Sequence, residues 1–254
     1  MIPIKNKNDL NAMRVVCRHA AHLLDYLEPF IKPGISTQDL DDLAVNWIKE
    51  RSLKSAILNY HGFPKSICTS VNEVVCHGIP SPNKILLEGD IVNVDVTLIL
   101  NNYYGDTSRT FIVGEASKET TLLVQRTKKA LLLAIESVAP EKPIGIIGDV
   151  IEDYVKDFGY SIITALGGHG IGKKFHEEPF VYHHRRKKKG AILKKGMVFT
   201  IEPMINAGEN KVYTDAKDGW SVISADNSLS AQFEHTVAIT ETGSEILTTS
   251  EPLS

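Results

Sequence analysis

The sequence predicts an α/β fold built from two pseudo-symmetric halves, because two distant segments repeat one pattern. GDIVNVD (89–95) and GMVFTIE (196–202) align without a gap, and each ends in a carboxylate. Each segment also follows two helical stretches and a His-Gly-Ile sequence, which begins at His77 in one case and at His169 in the other. A repeated order of this kind is the sequence sign of an internal duplication.

The helices are predicted from apolar residues at helical spacing, and they occur in two pairs. The first pair covers Asn8 to Phe30 and a second run that Ser36 or Thr37 can cap. The second pair covers Leu122 to Val138 and Ile147 to Phe158, with two prolines between them. We therefore expect the repeats to span about 8–116 and about 117–254 of a single domain, residues 1–254.

The strands are predicted from β-branched residues that alternate with polar ones. From Gly89 to Leu98 the alternation places Asp95 on the more polar face, and the segments around Glu202 and Glu234 repeat this placement. Asp106-Thr107 in the first half is echoed by Glu234-His235 in the second. Two halves facing each other would therefore bring four carboxylates and two histidines to one shared face.

Four buried carboxylates would repel each other and shift toward their neutral forms, and a pair of divalent cations removes this cost. Oxygen ligands with one imidazole suit Mn²⁺, Fe²⁺, Co²⁺ or Zn²⁺. Two such ions can activate a bridging water and polarise a carbonyl, so amide hydrolysis is the expected reaction. Structural calcium binding is the weaker reading, because it would not need His169.

Composition excludes several other classes of function. A formal net charge of −3 predicts no general attraction to DNA or to an anionic membrane. Three cysteines without a CxxC spacing argue against a disulfide framework and favour a reducing compartment. The N-terminus lacks a signal-peptide pattern, and no apolar stretch approaches the ~18 residues of a membrane span, so a cytoplasmic location is expected.

Over nearly the whole chain, the motifs resemble those of the type I methionine aminopeptidases, in the short form found in bacteria. The matching segments, in the family's order, are NYHGFPKSICTSVNEVVCHGIP (59–80), the strand ending at Asp95, YGDTSRTF (104–111), GGHGIGKKFHEEP (167–179), TIEP (200–203) and SLSAQFEHT (228–236). The resemblance implies the pita-bread fold, in which helices flank a central antiparallel sheet. It also implies a single catalytic domain that removes the initiator methionine from nascent proteins with a small second residue.

The resemblance further implies a role for each site residue. The expected metal ligands are Asp95, Asp106, His169, Glu202 and Glu234. Asp106 and Glu234 would bridge two ions, and Glu202 would also accept a proton from the attacking water. His77 would contact the substrate near its N-terminal amine or next peptide group, and His176 would stabilise the scissile carbonyl. The catalytic set is therefore His77, His176 and Glu202.

Aromatic and sulfur-containing residues match the family's methionine pocket, and such soft walls suit a thioether. The expected substrate-binding residues, besides His77 and His176, are Tyr60, Phe63, Cys68, Phe175 and Trp220. Phe63 stands where a tyrosine is common in relatives, so one hydroxyl contact would be missing. A monovalent cation at Asn72, Val74 and Ser230 is a further expectation from the resemblance.

Partners and rival functions follow from the same comparison. The expected partner is the N-terminus of a nascent polypeptide, bound by a monomer, and the basic run 185–189 is either a solvated loop or a transient contact with ribosomal RNA. Prolidases and aminopeptidase P use similar ligands but carry an additional domain. Some relatives lose the ligands and act only as binding proteins, whereas all five are present here.

Overall fold

A computed structural model describes residues 1–250, and the predicted helices begin where the sequence supplies capping side chains. Asn6 and Ser36 each form a capping box at the start of the first two helices, and Ser117 caps the third. The predicted role of Ser36 is therefore confirmed. Within these residues the α-helices are α1 (Lys7–Leu27), α2 (Thr37–Glu50), α3 (Lys118–Ser137) and α4 (Ile146–Val155). Short 3₁₀ helices follow at Glu28–Phe30, Tyr60–Gly62 and Lys156–Phe158.

The strands predicted around Asp95, Asp106, Glu202 and Glu234 are present, and the structure adds shorter strands that the sequence did not predict. In chain order they are β1 (Lys54–Ser55), β2 (Cys68–Val71), β3 (Val74–Cys76), β4 (Ile91–Leu100), β5 (Tyr103–Ile112), β6 (Ser161–Ile162), β7 (Gly168–Gly170), β8 (Glu177–Val181), β9 (Val198–Ile201), β10 (Met204–Asn206), β11 (Val212–Thr214), β12 (Val222–Ser224), β13 (Ser230–Gln232), β14 (Glu234–Ile239) and β15 (Ser244–Ile246). The last four residues of the second predicted repeat, 251–254, lie outside the described residues.

One antiparallel sheet joins the two halves of the chain. Its order is β1-β4-β5-β14-β9-β7-β8, with β2 added to β4 and β15 added to β14. The halves meet where β5 pairs with β14, with Glu234 opposite Ser108 and His235 opposite Thr107. Two three-stranded sheets, β13-β10-β6 and β11-β12-β3, complete the sheet structure of the described residues.

The apolar clusters confirm the predicted two faces of the central strands, although both faces are largely buried. Val92, Val94 and Val96 pack into one apolar cluster with α1 and α2. Phe199 and Val237 belong to a second cluster with α3 and α4. Each half of the sheet therefore has its own helix layer on one face. The opposite face carries the polar residues, beside an apolar patch of Val198 and Ala238 that packs against α1.

The strand register corrects one part of the predicted repeat. Val92 pairs with Val71, and Phe199, the residue that matches Val92 in the second half, pairs with Gly170. His169 therefore corresponds to Ser70 and not to His77. The reason is that β2, and not the β3 strand that precedes His77, lies beside β4, whereas β3 pairs with β12 in a small sheet.

A glycine sets how closely the first helix approaches the sheet. A Cβ atom at Gly105 would lie 2.6 Å from the backbone nitrogen of Cys17 in α1, which is too close for any side chain. The absence of a side chain at this position therefore allows α1 to lie directly on β5, beside Asp106. No helix within residues 1–250 combines the length and the apolar character needed to cross a membrane.

Candidate metal centre and active site

A cavity of about 420 Å³ lies over the meeting point of the two halves, and it collects the predicted site residues. All twelve predicted metal-binding, catalytic and pocket residues line it: Tyr60, Phe63, Cys68, His77, Asp95, Asp106, His169, Phe175, His176, Glu202, Trp220 and Glu234. They are separated by up to about 170 positions in the chain, so the fold and not local sequence brings them together. Their roles as ligands and catalysts stay predictions.

Three neighbouring strands place the carboxylates. Asp95 on β4 and Glu234 on β14 both lie opposite Ser108 of the intervening β5, so the three residues form a row across the sheet. Asp106 lies two residues from Ser108 along β5, opposite Thr97. Because side chains alternate along a strand, residues two apart share one face, and these carboxylates all reach the cavity.

His169 lies among the carboxylates in a defined orientation. Its Nε2 atom is 3.6 Å from Asp106 Oδ2 and 3.8 Å from Glu202 Oε1, and donor atoms of Asp106, His169 and Glu234 lie within 4.8 Å of one another. His169 Nδ1 lies 3.0 Å from the carbonyl oxygen of Gly170. A proton on Nδ1 donates to that carbonyl and leaves the Nε2 lone pair facing the carboxylates, as ligand histidines require.

Burial dominates the electrostatics of the carboxylates. It raises the pKa of Asp95 to about 7 and the pKa of Glu202 to about 8. Burial, followed by the charges of the neighbouring carboxylates, raises the pKa values of Asp106 and Glu234 well above their usual range. Burial also lowers the pKa of His169 to about 3, so its imidazole is neutral at physiological pH.

The donor set fits divalent metal ions. One carboxylate oxygen of Asp95 is buried without a hydrogen-bond partner. Among the described residues that line the cavity there is no lysine or arginine to balance the four acids. Oxygen ligands with one neutral imidazole, in a site that lacks compensating positive charge, are the chemistry that divalent first-row metals bind.

The structure adds supporting residues that sequence reasoning missed. Thr97 Oγ1 donates to Asp106 Oδ1 at 2.8 Å, and Thr200 Oγ1 donates to Glu202 Oε1 at 2.6 Å. Thr200 Oγ1 also accepts the backbone N–H of His169 at 3.0 Å. The strand alternation could have indicated the two threonines, because Thr97 and Thr200 lie two residues from Asp95 and Glu202 on the same face.

Two further contacts to Glu202 had no sequence signal. Gln232 Nε2 donates to Glu202 Oε2 at 3.3 Å, and the backbone N–H of Glu202 donates to Nε2 of the fully buried His183 at 3.1 Å. Burial lowers the pKa of His183 to about 3, so this histidine stays neutral and can accept that hydrogen bond. The carboxylate of Glu202 is therefore held from several sides.

The predicted catalytic histidines lie on one side of this cluster. The rings of His176 and His169 are 4.2 Å apart between centroids, and Tyr60 Oη lies 2.9 Å from His176 Nδ1. Burial lowers the pKa of both His176 and His77, and nearby histidines lower that of His176 further. Both imidazoles are therefore neutral at pH 7.

An apolar group of side chains forms another part of the cavity wall. Phe63 and Cys68 are buried, and Phe175 and Trp220 pack against them. Phe63 and Trp220 meet edge to face with centroids 5.2 Å apart, and the centroids of Tyr60 and Phe175 are 5.0 Å apart. The predicted pocket residues thus form one continuous wall beside the carboxylates.

The residues predicted for a monovalent cation lie away from the cavity lining. The backbone N–H of Ser230 donates to the carbonyl of Asn72 at 2.9 Å, and Val74 follows on β3. The hydroxyl oxygen of Ser230 is buried without a hydrogen-bond partner. These contacts bring Asn72 and Ser230 together, and the cation itself stays a prediction.

Comparison with known proteins identifies the family. The model of metallopeptidase family M24 matches residues 11–241. The chain belongs to metallopeptidase family M24. It is 49% identical over 245 residues to the methionine aminopeptidase of Buchnera aphidicola subsp. Schizaphis graminum, which covers 96% of this chain and 93% of that protein. The crystal structure of methionine aminopeptidase from Rickettsia prowazekii superposes with a TM-score of 0.96 at 46% identity, covering 98% of this chain and 100% of that one.

These matches confirm the predicted resemblance and the predicted pita-bread fold. A more distant structure, a prolidase from Pyrococcus furiosus, has a TM-score of 0.77 at 23% identity, and the alignment covers 98% of this chain and 66% of the prolidase. That likeness extends to the fold alone. Membership of a metallopeptidase family agrees with the divalent-metal chemistry that the donor set favours.

Proposed function

We propose that this chain is a methionine aminopeptidase that removes the initiator methionine from proteins with a small second residue. The observation that carries the proposal is the single cavity in which twelve predicted residues from both halves meet. Identity of 46–49% to methionine aminopeptidases over almost the whole chain supports the same function. The two repeats would act as one catalytic domain, because Asp95 and Asp106 come from the first repeat and Glu202 and Glu234 from the second.

Five residues would hold two divalent ions, which we propose to be cobalt, manganese, iron or zinc: Asp95, Asp106, His169, Glu202 and Glu234. When bound, the ions would supply Lewis acidity and lower the pKa of a water molecule. Asp106 and Glu234 are proposed to be shared by both ions, because they lie on the two strands that meet at the junction of the halves.

Glu202 is the proposed proton acceptor for the attacking water. Its carboxylate lines the cavity beside the other proposed ligands, so it is placed to take a proton from a water molecule activated there. Hydrogen bonds from Thr200 and Gln232 hold its two oxygens in place. After the peptide carbonyl is attacked, the same group can pass the proton to the departing amine.

His176 is the proposed donor to the scissile carbonyl. Donation from the Tyr60 hydroxyl to Nδ1 leaves the proton of the neutral imidazole on Nε2, where it can stabilise the oxyanion as charge develops. His77, which lines the cavity and approaches Trp220 with centroids 6.3 Å apart, is proposed to bind the substrate near its N-terminus.

The methionine side chain would occupy the apolar wall. The buried Phe63 and Cys68, with Phe175 and Trp220 against them, offer the soft surface that a thioether prefers. A β-branched or charged first residue would fit this narrow aromatic surface less well. The preference for methionine at the first position is therefore assigned to this wall.

The test measures methionine release from Met-Ala-Ser and Met-Gly-Met by metal-stripped protein, before and after Mn²⁺, Fe²⁺, Co²⁺ or Zn²⁺ is restored. We expect release only with metal. Glu202→Gln should lower kcat by a factor of at least about 10³ while the fold is retained. Glu209→Gln, the same change at an exposed residue, should leave kcat unchanged.

The outcomes separate the rival functions. Release from Ala-Pro dipeptides but not from Met-Ala-Ser would indicate a prolidase-like enzyme instead. Absence of release with every metal would leave a non-catalytic binding protein. Retention of full activity by Glu202→Gln would refute the role of this residue but not the function.

The remaining proposals concern partners. We propose that the substrate is the N-terminus of a nascent polypeptide in the cytoplasm and that the enzyme is a monomer. A transient ribosome contact would use 186–188, because Arg185 and Lys189 are already paired with Asp149. Co-sedimentation with ribosomes that is lost at high salt checks that contact.

The monovalent cation is a separate proposal at Asn72, Val74 and Ser230. The buried hydroxyl oxygen of Ser230, which lacks a partner, supports it. A higher melting temperature in Na⁺ or K⁺ than in tetramethylammonium at equal ionic strength is expected. Equal melting temperatures in all three salts would contradict the site.

A further inference from the structure

Two exposed aromatic rings and a half-buried histidine form a row at the outer edge of the central sheet. Phe180, at the end of the terminal strand β8, is 45% exposed, and Tyr182 is 39% exposed. The ring centroids of Phe180 and Tyr182 are 4.7 Å apart, and those of Tyr182 and His184 are 5.5 Å apart. We call Phe180, Tyr182 and His184 the aromatic row. A contiguous exposed apolar surface of this kind commonly marks a binding site.

The aromatic row is held rigidly from behind. The residues between its members, Val181 and His183, are completely buried. Val181 pairs with Gly168 in β7, and Nε2 of His183 accepts the backbone N–H of Glu202. The backbone that carries the three rings is therefore fixed before any partner arrives, which lowers the entropic cost of binding.

The helix α4 supports the far end of the aromatic row. A Cβ atom on Gly148 would lie 2.2 Å from the carbonyl oxygen of His184, so the helix backbone packs directly against the row's own backbone. The backbone N–H of Arg185 donates to Glu152 Oε2 at 2.9 Å, and its guanidinium pairs with Asp153 at 2.6 Å. This anchoring keeps the exposed rings on one surface.

The aromatic row begins inside the active-site cavity. Phe180 and Glu178 line that cavity, and a Cβ atom on Gly167 would lie 2.7 Å from the Phe180 ring, so this ring covers the backbone two residues before His169. The guanidinium of Arg186 lies 4.5 Å from the Tyr182 ring centroid. A surface that starts at the site of chemistry and continues outward is positioned for the part of a substrate that leaves the cavity.

We propose, on the basis of the proposed function, that the aromatic row binds the substrate polypeptide beyond its second residue. An extended chain advances about 3.3 Å per residue, so the distance from Phe180 to His184 corresponds to about four substrate residues. Aromatic or aliphatic side chains at roughly the third to sixth positions would pack on Phe180 and Tyr182. The row would thus favour unfolded N-termini with apolar residues at those positions.

A second copy of the chain is the weaker occupant. Stable interfaces bury about 800 Å² on each partner, and three partly exposed rings provide far less. A dimer contact would not require Phe180 to line the cavity. A substrate polypeptide that leaves the cavity along β8, in contrast, must pass the Phe180 ring.

The test compares two octapeptides with the tripeptide Met-Ala-Ser, using the metal-loaded enzyme. Met-Ala-Ser-Phe-Leu-Ser-Gly-Gly carries apolar residues where the aromatic row is expected to bind, and Met-Ala-Ser-Ser-Ser-Ser-Gly-Gly does not. We expect a kcat/KM for the apolar octapeptide that exceeds that of the serine octapeptide by about 3- to 10-fold, the effect of one aromatic contact. Tyr182→Ser and the double variant F180S/Y182S should reduce this ratio toward one.

Tyr213→Ser is the matched control, because Tyr213 is a 49% exposed tyrosine on β11 that does not line the cavity. It should leave the octapeptide ratio unchanged. An equal ratio in wild type, Tyr182→Ser and F180S/Y182S, with unchanged melting temperatures, would overturn the proposal. So would a dimer in sedimentation that Tyr182→Ser dissociates. Failure of the proposed function is distinct, because the wild type would then release no methionine from the tripeptide.

Discussion

A buried ion pair between the N-terminal segment and the loop that carries His176 allows a sharp prediction. Lys5 Nζ pairs with a carboxylate oxygen of Glu177, and the two side chains are only 7% and 9% exposed. The other oxygen of Glu177 accepts the backbone N–H groups of Lys173 and Lys174 at 2.9 and 3.2 Å. Glu177 thus closes the loop around His176, and Lys5 attaches that loop to the start of the chain.

Lys5→Met is the perturbation, and its cost follows from burial. Removal of one partner of a buried pair costs about 3–5 kcal/mol because the other charge is left uncompensated. Glu177 keeps two backbone donors, so we expect the lower end, about 3 kcal/mol of unfolding free energy. For a chain of this size that corresponds to a fall in melting temperature of about 6–12 °C. Displacement of the His176 loop should also lower kcat about 10- to 100-fold.

Thermal unfolding and the kcat for Met-Ala-Ser are the assays. Lys195→Met is the matched control, because Lys195 pairs with Glu241 but the two side chains are 60% and 73% exposed. Exposed pairs of this kind contribute about 0–1 kcal/mol. If Lys5→Met behaves like Lys195→Met in both assays, the Lys5–Glu177 ion pair does not hold the His176 loop, and the role assigned to this pair is refuted.

Three further predictions concern the site and its support. Thr200→Val removes the hydroxyl that bonds both the Glu202 carboxylate and the backbone N–H of His169. It should lower kcat/KM about 10- to 100-fold with little change in melting temperature. Unchanged kinetics would contradict the positioning role of Thr200. Gly105→Ala should lower the free energy of unfolding severely in a denaturant titration, because the new Cβ would lie 2.6 Å from the backbone of α1. Gly243→Ala is the control, because a Cβ atom there has free space and the free energy of unfolding should not change.

The third prediction concerns pH, because burial raises the pKa of Asp95 to about 7 and that of Glu202 to about 8. A raised pKa in the folded state favours folding at low pH, and this contribution is lost as pH rises from about 4 through 8. Buried histidines with lowered pKa values, such as His169 and His183, act in the opposite direction, but only below about pH 6.5, where they would be charged in the unfolded chain. Metal-stripped protein should therefore melt at a higher temperature at pH 7 than at pH 9, and saturating Mn²⁺ should remove this trend. A melting temperature that rises over this interval without metal would contradict the burial of these charges.

Much of the local structure was predictable because it depends on neighbours in the chain. The cap at Ser36 is a short-range feature, and so is the alternation that places every second residue of β4 in one apolar cluster; the structure has both. Repetition of the strand pattern at Asp95 and Glu202 further indicated two halves, since a duplicated sequence folds into duplicated elements. The side-chain types of the predicted ligands, four carboxylates and one imidazole on the less apolar strand faces, were sufficient to favour a divalent-metal centre.

Strand pairing was the first property that local pattern could not determine. The repeated His-Gly-Ile sequence suggested that His77 and His169 occupy matching positions, but β2 and not β3 lies beside β4. Pairing between strands is a long-range contact, so a short similarity in sequence does not report which strands are neighbours.

The sequence by itself determined the helices, the strands that carry the carboxylates, the two similar halves and the residue types of the candidate site, because propensity, capping and periodicity act over a few residues. Only the tertiary structure decided which residues support that site. His183 reaches the backbone of Glu202 from the segment that follows β8, and Lys5 reaches Glu177 across 172 positions. Such contacts join residues that are far apart in the sequence, so local pattern does not reveal them. The aromatic row could likewise be proposed as a binding surface only because the structure places Phe180 in the cavity wall.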